Sequence, residues 1–168
     1  MYTQNKNFSS KPDYGISSSS QVDTADELVS FDKKMGGLSI NQKTYKVFRF
    51  LGKFLGNILT PKPNTAGVVI TDNKNVSRGL LIVNPENQKG EGALFLIHGG
   101  GYVVGNYKDN LAYACDIARE LGISVLSPAY GLGPENPFPC GINDLYESWK
   151  WLLDNALSLN INKEKIVI

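Results

Sequence analysis

The stretch from Leu94 to Gly105, Leu-Phe-Leu-Ile-His-Gly-Gly-Gly-Tyr-Val-Val-Gly, constrains this chain more than any other. Ala93 to Ile97 is a short continuous apolar run, the pattern of a strand covered on both faces. A histidine and three consecutive glycines follow it. Glycine reaches backbone angles closed to other residues and lets a ligand approach the main chain closely. Amides aimed at one point can bind an anion or a developing oxyanion. A buried strand running into such a loop places main-chain donors at the end of a sheet.

The rest of the chain supplies a matching frame. Gly67 to Thr71 and Gly79 to Val83 read as two strands, and the turn-rich Asp72-Asn73-Lys74-Asn75 between them predicts a hairpin. After the glycine loop, Asp109 or Asn110 can cap a helix whose buried stripe is Leu111, Ala114, Cys115, Ala118 and Leu121, with Gly122 as its stop. Ile123 to Ser127 is the next strand, which predicts a parallel pair with a right-handed crossover. A proline-rich turn leads into a second amphipathic helix burying Ile142, Leu145, Trp149, Leu152, Leu153 and Ala156. Lys165 to Ile168 opens a third parallel strand. The expected class is α/β: an antiparallel hairpin leading into a parallel sheet with flanking helices.

Two motifs of matching type, order and spacing carry a resemblance. His98-Gly99-Gly100-Gly101 resembles the oxyanion-hole motif of esterases and lipases with the α/β-hydrolase fold. Tyr130-Gly131-Leu132-Gly133-Pro134-Glu135-Asn136-Pro137-Phe138-Pro139 resembles the run that follows the next strand in the hormone-sensitive-lipase branch. The resemblance implies the N-terminal half of an α/β-hydrolase fold. It implies a serine carboxylesterase-type hydrolase that acts on small or medium acyl esters, without metal or organic cofactor. The oxyanion donors would be the backbone N–H groups of Gly100 and Gly101. His98 would hold the loop through hydrogen bonds, and Gly99 would serve the turn and close packing. Tyr102 and Tyr130 either line a substrate pocket or pack its wall.

The sequence departs from the family in two ways. The usual Asp-Tyr-Arg at the end of the strand reads Ala129-Tyr130-Gly131, which puts a local ion pair in doubt. Glu135 could instead anchor the turn through amides or a nearby cation. No G-x-S-x-G nucleophile elbow occurs, and His98 is the only histidine. The third oxyanion donor, which follows the nucleophile in the family, is therefore absent too. The expectation is an N-terminal portion of an esterase-like chain that lacks the triad and is inactive as it stands. A base needs a nucleophile within reach, so His98 is not read as one. Cys140 has no second histidine to activate it.

Competing readings of the loop fail on detail. There is no Gly-Lys-Ser/Thr for a P-loop, Gly99, Gly101 and Gly105 miss the dinucleotide spacing by one, and one histidine builds no zinc cluster. Seventeen basic against sixteen acidic residues give a net charge of +1, which argues against a nucleic-acid surface. The polar N-terminus lacks the apolar core of a secretory signal, and no run approaches the ~20 apolar residues of a membrane span, so a cytoplasmic protein is the expectation.

Residues 1–22 are rich in Ser, Asn and Lys and read as a disordered tail. Residues 23–63 read as N-terminal cap helices. Thr24 and Glu27 fit a capping box, and a second helix within Ser39 to Thr60 shows Tyr45, Phe48, Leu51, Phe54, Leu55 and Ile58 opposite a stripe of Lys46, Arg49, Lys53 and Asn57. Residues 64–168 form the partial hydrolase domain. Two alternatives remain: a non-catalytic ligand- or partner-binding protein on the same fold, and a peripheral membrane protein using the basic amphipathic helix. The sequence leaves the oligomeric state open.

Overall fold

The computed structural model describes residues 44–59 and 62–168. The tail and the Thr24 helix lie outside the described residues. Helix α1 spans Tyr45–Leu59 and strands β1 and β2 span Val68–Asn73 and Leu80–Pro85. Strand β3 is Ala93–Phe95, helix α2 Leu111–Leu121, strand β4 Ser124–Pro128 and helix α3 Cys140–Asn155. A short 3-10 turn, Lys163–Lys165, leads into strand β5, Ile166–Val167.

The strands form one sheet in the order β1-β2-β4-β3-β5. β1 pairs antiparallel with β2 and β2 antiparallel with β4, whereas β3 runs parallel to both β4 and β5. The hairpin and the parallel pair joined by α2 match the sequence expectation. β3 is shorter than expected: Leu96 N–H still donates to Leu126 at 2.7 Å, but Ile97 is exposed as the chain turns away.

Alternation along the strands sorts the core into two layers. Leu81, Val83 and Val125 pack with Ala114, Cys115 and Ala118 of α2. Leu80, Ile82, Phe95 and Leu126 pack on the other face with Leu152 and Ala156. Phe95 meets Trp149 of α3 edge-on, with ring centroids 5.4 Å apart. Every residue of β4 is buried, as a strand covered on both faces requires.

Both helices depart from their expected stripes at the margin. Leu121 is 60% exposed, because α2 ends there and Gly122 turns the chain in the left-handed conformation at φ 64°. Asn110 precedes α2 without capping it through its side chain, and Asp109 instead accepts from the Asn106 N–H. In α3 the buried stripe is Gly141, Leu145, Ser148 and Leu152. Ile142 is 44% exposed and Leu153 half-buried. Ser148 is tolerated inside because its hydroxyl donates to the Asp144 carbonyl.

Helix α1 is turned relative to its expected face. Tyr45 is buried, but Arg49, read as part of the outer stripe, faces the domain, while Val47, Phe50, Leu51 and Phe54 are exposed. The guanidinium finds acceptors on the body of the protein, and charge-assisted bonds of that kind outweigh burial of one more apolar edge.

The hairpin is tied to the loop before α2 by a polar cluster. Asp72 sits 2.8 Å from Lys74 and 2.6 Å from Lys108, and accepts from the Tyr107 hydroxyl, which Lys74 also contacts. Burial works to raise the Asp72 pKa, but the bonds from Lys108, Lys74 and Tyr107 outweigh it and bring it to about 2, below the ordinary 3.8. A depressed carboxylate stabilises the fold above its unfolded pKa and loses that contribution as pH falls through the folded value. The stability advantage of the native chain over Asp72→Asn should therefore be full above about pH 4 and disappear on approach to pH 2, as read by urea unfolding across that range.

Candidate oxyanion loop and apolar groove

β3 delivers the chain into the glycine loop. Gly100 accepts from the N–H groups of both Val103 and Val104 at 3.0 Å, which closes a tight turn. Gly100 stands at φ 123°, and a Cβ there would lie 1.9 Å from the Val104 carbonyl oxygen. Gly105, at φ 99°, is equally constrained: its Cβ would meet the Gly99 carbonyl at 2.5 Å and His98 Nδ1 at 2.7 Å. Gly99 is not tightly packed, since a Cβ there meets nothing within 4 Å. The close packing expected of Gly99 falls instead on Gly100 and Gly105, because the loop folds back from residue 104 onto residues 98–100.

Among the described residues, neither the Gly100 nor the Gly101 N–H has an acceptor in the protein. Both residues are exposed. Two adjacent amide donors thus remain available on a turn whose carbonyl partner is already used. Such a pair can receive a carboxylate or an oxyanion.

His98 is 5% exposed and fixed from several sides. Its Nδ1 lies 2.8 Å from the Gly99 carbonyl, and the Tyr130 hydroxyl donates to the His98 carbonyl at 2.7 Å. The two rings stack with centroids 4.3 Å apart. Burial pushes the Tyr130 phenol above its ordinary pKa, so it remains a donor.

An apolar groove of about 340 Å³ opens beside the loop. Tyr102 and Val103 form one wall, and Pro137, Phe138 and Ile142 stand across from them. Of the two tyrosines singled out in the sequence, Tyr102 lines this groove, whereas Tyr130 is buried behind it. Tyr102 adopts φ 58° and is held there by its carbonyl, which accepts from Gly133 at 2.7 Å. Gly141 packs against its ring. Ile142, expected in the core, is exposed because it faces the groove.

Two ionic clusters support the walls; sequence reasoning missed the one at Asp144 and anticipated a cation for Glu135 without naming it. Asp144, one turn into α3, takes Arg78 at 2.6 Å and the Gly131 N–H at 2.8 Å. Hydrogen bonding to Asp144, then to Cys140, raises the Arg78 pKa. The Cys140 thiol lies 3.2 Å from that guanidinium. The second cluster centres on Glu135. Its carboxyl accepts from Arg49 at 3.0 Å and from Tyr45 at 3.1 Å. Its own backbone N–H, then Arg49 and Tyr45, lower its pKa. The cation anticipated for Glu135 is thus supplied by α1. The only sequence signal was an arginine one turn after a tyrosine, and it names no partner.

The sheet order, with a glycine loop at the end of β3 and helices on both faces, defines part of an α/β-hydrolase fold. Residues 94–168 match a family described as having the alpha/beta hydrolase fold. The chain is 33% identical over 76 residues to an ethyl acetate hydrolase of Pseudomonas putida, covering 45% of this chain and 24% of that enzyme. It is 35% identical over 72 residues to hormone-sensitive lipase of Bos taurus, covering 43% of this chain and 10% of the lipase. A solved bacterial heroin esterase superposes with a TM-score of 0.63 at 27% identity, over 70% of this chain and 39% of that one. An esterase from Pyrobaculum calidifontis shares the fold, with a TM-score of 0.64 at 23% identity, covering 84% and 47%. From Leu94 onward this chain is thus similar to esterases and lipases of the α/β-hydrolase fold, hormone-sensitive lipase among them, and it spans less than half the length of these relatives.

The loop geometry separates two substitutions that look alike in the sequence. Gly101 has open space around its Cα at φ 58°, so Gly101→Ala should cost about 1–2 kcal/mol for the left-handed backbone. Gly100→Ala drives a Cβ into a backbone carbonyl and should cost distinctly more, measured side by side in denaturant unfolding.

Proposed function

We propose that this chain contributes the oxyanion-binding and ester-docking half of a carboxylic-ester hydrolase. The observation that carries the reading is the pair of unpaired amides on Gly100 and Gly101, set next to an apolar groove. In ester hydrolysis the carbonyl oxygen gains negative charge as the tetrahedral intermediate forms. Preset donors that meet this charge lower the barrier, and one such donor is worth roughly 3 kcal/mol. The groove would hold the apolar arm of a small acyl ester. Tyr102 and Phe138 offer contact area, and Asn136 is a polar residue in an otherwise largely apolar lining. The relatives support the ester chemistry through the activities in their names.

The attack itself needs a nucleophile and a base that these 168 residues do not provide. No G-x-S-x-G is present, and the one histidine is held by Gly99 and Tyr130. His98 acts in this reading as a brace for the loop. The chain binds and orients the ester without cleaving it.

Butyrate tests the binding step, since its carboxylate mimics the oxyanion and its propyl arm fits the groove. In titrations followed by amide NMR it should shift the Gly100 and Gly101 resonances with a dissociation constant on the order of millimolar. Gly100→Ala should abolish the response. Amides that ignore butyrate in the native chain would count decisively against the reading. So would hydrolysis of p-nitrophenyl butyrate that persists in Gly100→Pro and resists a serine-directed inhibitor.

A second reading rests on α1. Val47, Phe50, Leu51 and Phe54 form an exposed apolar surface beside the exposed Lys46, and the rings of Phe50 and Phe54 stack 6.5 Å apart. Among the described residues no helix is long and apolar enough to cross a membrane. A helix of this kind can instead lie in the headgroup layer. Vesicles of phosphatidylserine and phosphatidylcholine should then float with the native chain and release the double variant Phe50→Ser, Phe54→Ser. Equal flotation of both proteins, or of neither, refutes it.

A further inference from the structure

We propose that Arg49 is a positioning residue for the oxyanion loop, acting through the Val103 carbonyl; the inference rests on the oxyanion reading given above. The side chain leaves α1 and forks. Its Nε donates to the Val103 carbonyl and its Nη2 to the Gly133 carbonyl, both at 2.6 Å, while Nη1 meets Glu135 at 3.0 Å. One guanidinium therefore joins three elements: α1, the glycine loop and the proline-rich turn. Val103 and Gly133 both line the groove, so the fork spans its two walls at the main chain.

The grip on Val103 matters because of where that residue lies in the turn. Val103 donates to Gly100, and the next carbonyl, that of Val104, rests against the Gly100 α-carbon. The peptide after Val103 carries both the Val103 carbonyl and the Val104 N–H, so its rotation would break the Val104 bond to the Gly100 carbonyl. The Gly100 carbonyl shares its peptide plane with the Gly101 N–H, so the direction of that donor follows from the Val103–Val104 peptide, which Arg49 holds by its carbonyl. The Arg49 side chain is itself restrained by the Tyr45 ring, 5.1 Å from the guanidinium carbon, and by the Tyr45 hydroxyl, which shares Glu135.

A lysine cannot replace this geometry. It carries one ammonium without the planar fork, so it reaches one wall or the other. The exposed Glu135 pair is the weakest of the three contacts, because exposed ion pairs contribute little. The two carbonyl contacts are the part that positions the loop.

Hydrogen exchange across segments of the whole chain separates this role from general stability. Arg49→Met should raise exchange in residues 98–105 by about tenfold or more, the loss expected for charge-assisted bonds, while protection in β2 and β4 stays native. Arg49→Lys should give an intermediate rise, and it keeps the test open should the methionine variant unfold. Glu135→Gln should change the loop by less than about twofold. Arg119→Met is the matched control: Arg119 also binds two backbone carbonyls, Asn64 and Ala66, but far from the loop in sequence and bonding. It should loosen residues 62–68 and leave residues 98–105 unchanged. Unchanged loop exchange in both Arg49 variants overturns the proposal, as does an equal rise in Arg119→Met. In the butyrate titration, Arg49→Lys should weaken the Gly100 and Gly101 response by several-fold. A native chain that fails to respond to butyrate refutes the oxyanion reading itself, a result separate from loop exchange that ignores Arg49.

Discussion

Burial of the central strands on both faces is the constraint on which the rest of this structure depends. β2 and β4 have no solvent face, so neither can carry a polar side chain without an internal partner. Ser124 and Ser127 obey this rule, with hydroxyls bonded to Asn84 and to the Leu96 carbonyl. Chemistry is thereby displaced to the strand ends, where the backbone leaves the ladder. The loop after β3 and the turn after β4 emerge beside each other because those strands are neighbours. The groove between loop and turn is a product of sheet order before it is a product of any side chain.

What keeps those two connections in place is a set of main-chain contacts made by charged groups. Arg49 holds Val103 and Gly133, and Asp144 holds the Gly131 amide while it engages Arg78. Both arrangements satisfy peptide groups that would otherwise stand open at the rim. The ions are only partly desolvated, so their value lies more in fixing direction than in raw stability. The ring stack of His98 on Tyr130 works alongside them from the buried side.

The local features of the fold were legible in the sequence because their causes are local. An apolar run, three glycines and a proline-rich turn each report their own backbone, and hairpin, loop and crossover follow from them. The failures are also physical. Gly99 looked as constrained as its neighbours, but the chain folds back on Gly100 and Gly105, which only tertiary geometry reveals. Ile142 fitted a helical apolar stripe and yet faces the groove. Arg49 read as an outward residue because its acceptors lie 54 and 84 positions further along the chain. Periodicity measures how a helix is decorated and carries no record of which side finds the better partner.

The outermost strand, β5, has a consequence of its own. It contributes two residues at the margin of the sheet, and Val167 and the following Ile168 are 63% and 71% exposed. Such a rim offers unclaimed peptide groups flanked by branched aliphatic side chains. At two residues the strand is too short to template a further one, so this margin is guarded by brevity where longer borders need charge or proline.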